Sequence, residues 1–127
     1  ELARGVPLFE AVTSTVARLR ERFDTSAINL LVLSADELIA VHANEGAPVP
    51  FDLFEESGLG VDLPIDHVDH YYQLAWRREA DGAIAFTSSG LASDGWQRMA
   101  QHTAARVDLA TLAFDVVALP RAARRAA

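Results

Sequence analysis

The sequence predicts an α+β domain with a largely antiparallel sheet. Three features carry this reading: an amphipathic helix pattern over 7–23, apolar runs that return on themselves across short polar turns, and strand connections short enough for hairpins. The chain has 127 residues, 50% of them hydrophobic. That fits one domain, which at this size buries roughly two-thirds of the surface its unfolded chain exposes, and the composition is not that of a disordered chain.

In the helix, Leu8, Val12, Val16, Leu19 and Phe23 recur at spacings of three and four, so they line one face. Pro7 suits the first turn, where its missing N–H costs nothing. After Asp24-Thr25-Ser26 the run Ala27 to Leu33 is nearly continuous in apolar residues, which favours a strand covered on both faces. Ser34-Ala35-Asp36-Glu37 is turn-like and Leu38 to His42 resumes the pattern, so 27–42 reads as a hairpin. Residues 43–68 lack periodicity and hold Pro48, Pro50 and Pro64; they read as a long acidic loop carrying one short helix. Antiparallel strands are expected over 69–119. His70, Tyr72, Leu74 and Trp76 alternate with polar or small residues, Asp81-Gly82 is a favoured turn pair, Ala83 to Ser88 returns, and a last hairpin runs Thr103–Asp108 and Leu112–Leu119. A basic tail closes the chain over 120–127.

Eighteen acidic side chains against eleven basic ones give a net charge of −7. Such a surface repels nucleic acid, whose binding rests on neutralised phosphates, and no Lys or Arg occurs between Phe23 and Trp76. All the basic residues are Arg and Ala is abundant, a coding bias that points to a GC-rich bacterial genome. With no Cys there is no disulfide framework, no zinc–thiolate site and no thiol nucleophile in this chain. No apolar run reaches the roughly 18–20 residues that span a bilayer, so a soluble, cytoplasmic protein without a membrane partner is expected. Glu1 stands where structure is already under way, without an initiator Met; a fragment, a processed chain or the ordered part of something longer is expected.

Motifs for chemistry are few. Asp66-His67-Val68-Asp69-His70 offers metal-ligand types, but on a strand His67 and His70 point oppositely, and only His42 or His102 would add a further imidazole. Ser88, Ser89 and Ser93 lack the strand–turn–helix setting of a nucleophile elbow. Gly58-Leu59-Gly60 is a lone GxG with no helical pattern behind it. Tyr71, Tyr72, Trp76, Phe86 and Trp96 read as core and cross-strand contacts rather than a stacking platform. No metal and no cofactor is expected.

The order of segments resembles a known family. INLLVLSADELIAVHA (Ile28 to Ala43) is similar to the hairpin of class II glutamine amidotransferase-like domains. HYYQLAWRREADGAIAFTSSGL (His70 to Leu91) resembles a later strand pair of that family, and GWQRMAQHTAARVDLATLAFDV (Gly95 to Val116) its closing hairpin. The resemblance spans most of the chain, as the C-terminal half of such a domain. It implies half of an αββα N-terminal-nucleophile hydrolase sandwich, in a family that frees ammonia from glutamine, or cleaves related amides, with an N-terminal Cys. The chain departs at the decisive place. Glu1 is no such nucleophile, Cys is absent, and the family's Arg-containing and Asn-Gly motifs precede the matched region, so no catalytic residue is carried over.

Three readings follow: the C-terminal portion of an amide hydrolase whose Cys lies upstream, a degenerate half-domain that only pairs with a partner, or a self-contained α+β sensor or scaffold module of the roadblock or PAS/GAF kind. Under the first, glutamine or another small amide is the expected ligand, the loop 43–68 forms part of a cleft rim, and His70, Tyr72, Ser88 and Ser89 sit at strand ends that face it. A half-domain is further expected to self-associate or to pair with the N-terminal segment it lacks.

Overall fold

Helix α1 (Leu8–Arg22) begins after Pro7, whose φ of −54° and ψ of 143° keep it just outside the helix while its carbonyl accepts the first helical bond from Ala11 N–H (2.9 Å). Pro7 is thus the N-cap and not a residue of the first turn. The computed structural model describes residues 5–23, 26–44, 47–58, 71–88 and 94–120. Beyond α1 it contains β1 (Ile28–Leu33), β2 (Glu37–Ala43), α2 (Phe51–Glu56), β3 (Ala75–Arg78), β4 (Ile84–Thr87), β5 (Gln97–Arg98), β6 (Thr103–Asp108) and β7 (Phe114–Ala118). The fold is α+β with two antiparallel sheets, β1-β2-β6-β7 and β4-β3-β5.

The hairpin turns are built from the residues that the sequence offers. Ser34 Oγ accepts from the N–H groups of Asp36 and Glu37, while Ser34 N–H donates to the Glu37 carbonyl (2.9 Å), closing β1 onto β2. Asp108 Oδ1 accepts from the N–H of Ala110 and from both the N–H and the hydroxyl of Thr111, shaping the β6–β7 turn. These bonds to its ionised form hold the Asp108 carboxyl below the usual range. Gly82, at φ +90°, takes the left-handed position of the β3–β4 turn, as the Asp-Gly pair predicts.

Side chains alternate across β2, so its two faces meet different layers. Ile39, Val41 and Ala43 join Val16 of α1, Ala104 of β6 and Leu119 in one buried cluster, with Leu8, Phe9, Val12, Ile28, Leu30 and Val32 packed around it. On the opposite face Ala40 and Ala105, directly paired across β2 and β6, meet Leu74 and Met99, which flank β3 and β5 of the second sheet, with Trp76, Phe86 and Phe114 alongside. The layers therefore run helix, four-stranded sheet, three-stranded sheet.

Three expectations are corrected. The strand covered on both faces is β2; β1 is an edge strand with alternating exposure, its Leu31 and Leu33 being 53% and 71% exposed. The apolar line of α1 is buried only in part, since Leu19 and Phe23 remain 43% and 50% exposed at its C-terminal end. The strand expected from residue 69 starts only at Ala75, because Tyr71 and Tyr72 form a turn whose Tyr72 carbonyl is taken by side-chain amides. The short helix expected in the loop is α2, and the last hairpin is β6–β7. The tail over 121–127 and the Ser/Gly-rich residues 89–93 lie outside the described residues.

The small side chains of Ala40 and Ala105 set the spacing between the sheets. Ala105→Leu is expected to overpack this contact and cost about 1–3 kcal/mol in urea denaturation, whereas Leu33→Ala, at an exposed edge, should change stability by less than about 0.5 kcal/mol.

Candidate functional site

At one end of the four-stranded sheet the apolar pattern is broken by Asn29 near the start of β1, His42 near the end of β2 and Asn44 just beyond it. Register pairs Asn29 with His42, and the two-residue spacing places Asn44 on the same face as His42. His42 is 1% exposed and Asn44 5%. Burial of such groups is tolerated only when they are hydrogen-bonded, and here they bond mainly to one another. Asn44 Nδ2 donates to the Tyr72 carbonyl (2.7 Å) and to Asn29 Oδ1 (2.9 Å), and Asn29 Nδ2 donates to the same carbonyl (2.8 Å). The backbone N–H of Asn44 donates to Gln101 Oε1 (2.9 Å), which ties in the turn before β6.

His42 Nδ1 lies 2.9 Å from both Asn29 Oδ1 and Asn44 Nδ2. If Nδ1 accepted from Asn44, the Nε2–H would be buried without an acceptor, and orphaned buried N–H groups are the rarest kind. We therefore assign the hydrogen to Nδ1, donating to Asn29 Oδ1. Nε2 then carries a lone pair. Neither it nor Asn44 Oδ1 has a hydrogen-bonding partner among the described residues. Protonation would place a second N–H at that buried atom. Burial, followed by the charge of His102, accordingly lowers the His42 pKa from 6.5 to about 4, and the imidazole is neutral at pH 7.

This arrangement holds the chain together. No hydroxyl of the described residues bonds to His42, and the Tyr72 hydroxyl donates to the Pro48 carbonyl (3.0 Å). Among the described residues there is no group of three His, Cys, Asp or Glu able to hold a metal ion, and no helix is long and apolar enough to cross a membrane.

Of the residues expected at a cleft rim, Tyr72 belongs to this cluster through its carbonyl. Ser88 is exposed at the end of β4, and the β3–β4 register brings it to the same end of the second sheet as Leu74. His70 and Ser89, like His67 and Ser93, lie outside the described residues. Sequence reading missed Asn29, Asn44 and Gln101. Asn29 as the one polar residue inside an apolar run, and the His42–Asn44 spacing at the end of another, were the available signals. Of the five aromatic residues expected in the core and across strands, Trp76 and Phe86 are found there, whereas Tyr71 and Tyr72 lie in the turn before β3 and Trp96 lies under Arg77. Trp76 and Phe86 face each other across β3 and β4, Trp76 packs on Phe114 at 4.3 Å between centroids, and Tyr71 meets Phe54 edge-on at 5.0 Å.

Compared with family models, with curated proteins and with solved structures, the chain matches none. These comparisons lend the amidotransferase resemblance no support, which leaves it on the pattern of segments alone.

A buried imidazole with a depressed pKa binds its proton more readily unfolded than folded. Its stabilising contribution is therefore complete above pH 6.5, is lost as pH falls from 6.5 towards 4, and levels off below. The loss is at most about 3 kcal/mol. Thermal melts across this range should show that slope, and His42→Gln should flatten it while lowering the melting temperature at pH 7; an unchanged slope would remove His42 as its source.

Proposed function

We propose that the chain is the C-terminal portion of a class II glutamine amidotransferase-like amide hydrolase, completed by a preceding segment that supplies the nucleophilic cysteine. The observation that carries this reading is the layer order. Two antiparallel sheets pack face to face through Ala40, Ala105, Leu74 and Met99, with α1 on the far side of the four-stranded sheet. Helix, sheet, sheet are three consecutive layers of an αββα sandwich, and the segment pattern of Ile28 to Ala43 and of His70 to Val116 points the same way. Arg77, on the side of β3 opposite Trp76, lies over the Trp96 ring (4.6 Å), where a fourth layer would pack.

Amide cleavage needs a nucleophile with its proton acceptor and donors for the developing oxyanion. In this reading the chain serves as scaffold and cleft rim. The reading assigns Tyr72 and Ser88, together with His70 and Ser89, to the binding of a small amide such as glutamine, in a cytoplasmic enzyme that needs neither cofactor, nucleic acid nor membrane. A second reading, a self-contained non-catalytic sensor or scaffold module, is favoured by the hydrogen bonds of Asn29 and Asn44 to the Tyr72 carbonyl, which tie the two sheets of this chain to each other.

Ammonia release from glutamine separates the two. The complete gene product should release it and lose that activity when its N-terminal Cys is replaced by Ala, while the 127-residue chain alone releases none. No ammonia from the complete product would favour the module; release by this chain alone, abolished at one of its serines, would overturn both.

A further inference from the structure

The pair Asp-Gly occurs twice in the chain, as Asp81-Gly82 and as Asp94-Gly95. Such a pair can rearrange without an enzyme, because glycine has no side chain to keep its own nitrogen away from the carboxyl before it. The glycine nitrogen attacks the aspartyl Cγ, the N–H proton and the hydroxyl of the acid leave together as one water, and a cyclic imide closes. Water then opens the ring at either carbonyl. Breaking the nitrogen's bond to Cγ restores aspartate. Breaking its bond to the aspartyl carbonyl carbon leaves isoaspartate, whose main chain runs through Cβ and Cγ and whose former peptide carbonyl is a free carboxylate. One water is lost and one is gained, so the mass does not change.

The fold treats the two pairs differently. Exposure does not separate them, since both Asp81 and Asp94 are exposed. Hydrogen bonding does. Asp81 Oδ1 accepts from Ala83 N–H (3.0 Å), and Gly82 N–H, the group that must attack, donates to the Glu79 carbonyl (3.0 Å). Glu79 N–H donates to the Ala83 carbonyl (2.8 Å) and Arg78 Nη1 to the Gly82 carbonyl (3.0 Å), so this turn is clamped between two paired strands. A Cβ at Gly82 would also meet Leu112 Cδ1 at 3.7 Å. Ring closure at Asp81 therefore has to break the turn first.

Asp94 and Gly95 are both exposed and stand ahead of β5, which pairs with β3 only from Gln97 onwards. Gly95 holds a left-handed conformation, at φ +79°, and among the described residues nothing lies within 4 Å of where its Cβ would be. We propose that Asp94 is the site of spontaneous isoaspartate formation in this protein, and that the β3–β4 turn protects Asp81 from the same reaction. The product carries one additional main-chain atom immediately ahead of Gly95 and Trp96. The proposal needs only these two turns and is independent of the amide-hydrolase reading.

Prolonged incubation of the full chain in mildly acidic buffer tests it, followed by peptide mapping with electron-transfer fragmentation, which cleaves aspartyl and isoaspartyl main chains to different ions. The same incubation in urea gives the rates of the two pairs without the fold. Both should isomerise at similar rates in urea. In the folded chain Asp94 should stay within a few-fold of its urea rate, whereas Asp81 slows roughly tenfold or more, because its hydrogen bonds must open first. Asp94→Glu, which would have to close a larger ring, should remove the main isomer and leave Asp81 slow. Isoaspartate that accumulates in the folded chain at Asp81 as fast as at Asp94, or an Asp94 that folding slows as much as Asp81, would overturn the proposal.

Discussion

Both layers of this molecule are organised by one strand buried on its two faces. β2 presents Ile39, Val41 and Ala43 to α1 and Ala40 to the second sheet, all without exposure to solvent. A strand so placed must satisfy every backbone group through its neighbours, because water is excluded from both faces. β1 pairs with it from Leu38 to Ala43 and β6 from Glu37 to His42. The small side chains of Ala40 and Ala105 let the second sheet approach, and Leu74 and Met99 fill the space they leave.

At the ends of β2 the apolar layers stop and polar groups take over. At one end Asn29 and Asn44, with His42 against both of them, grip the Tyr72 carbonyl through their side-chain amides, so the segment entering β3 is pinned to the first sheet. At the other, Glu37 is buried and ion-paired with the half-exposed Arg106, and the Asp36 carbonyl accepts from Leu109 N–H (2.9 Å), tying two hairpin turns together. The joining of the layers thus depends on hydrogen bonds whose partners are far apart in sequence, and the one imidazole among them is held neutral by the burial that makes it useful.

Hairpins and the helix were legible in the sequence because their signals are local: Pro7 and the three-and-four spacing of α1, the Ser34–Glu37 turn and Asp81-Gly82. Burial was less so. Ala27 to Leu33 is more apolar than Leu38 to His42, yet the former is the edge and the latter the centre, since sheet order is a tertiary choice that no local pattern records. Tyr71 and Tyr72 continue an alternating pattern but turn instead, because the Asn29 and Asn44 amides compete successfully for the Tyr72 carbonyl. For the same reason the polar cluster was visible only as isolated polar residues: its members come from β1, β2, the segment before β3 and the turn before β6.

Native-state hydrogen exchange reads the central constraint most directly. If β2 organises both layers, the amides of Ile39 to Ala43 open only with global unfolding, so their exchange free energies equal the stability measured by denaturant. The amides of β1, which is an edge strand among the described residues, should then exchange before them. β2 amides that exchange through local openings, as readily as those of β1 while α1 and the second sheet stay protected, would contradict this account.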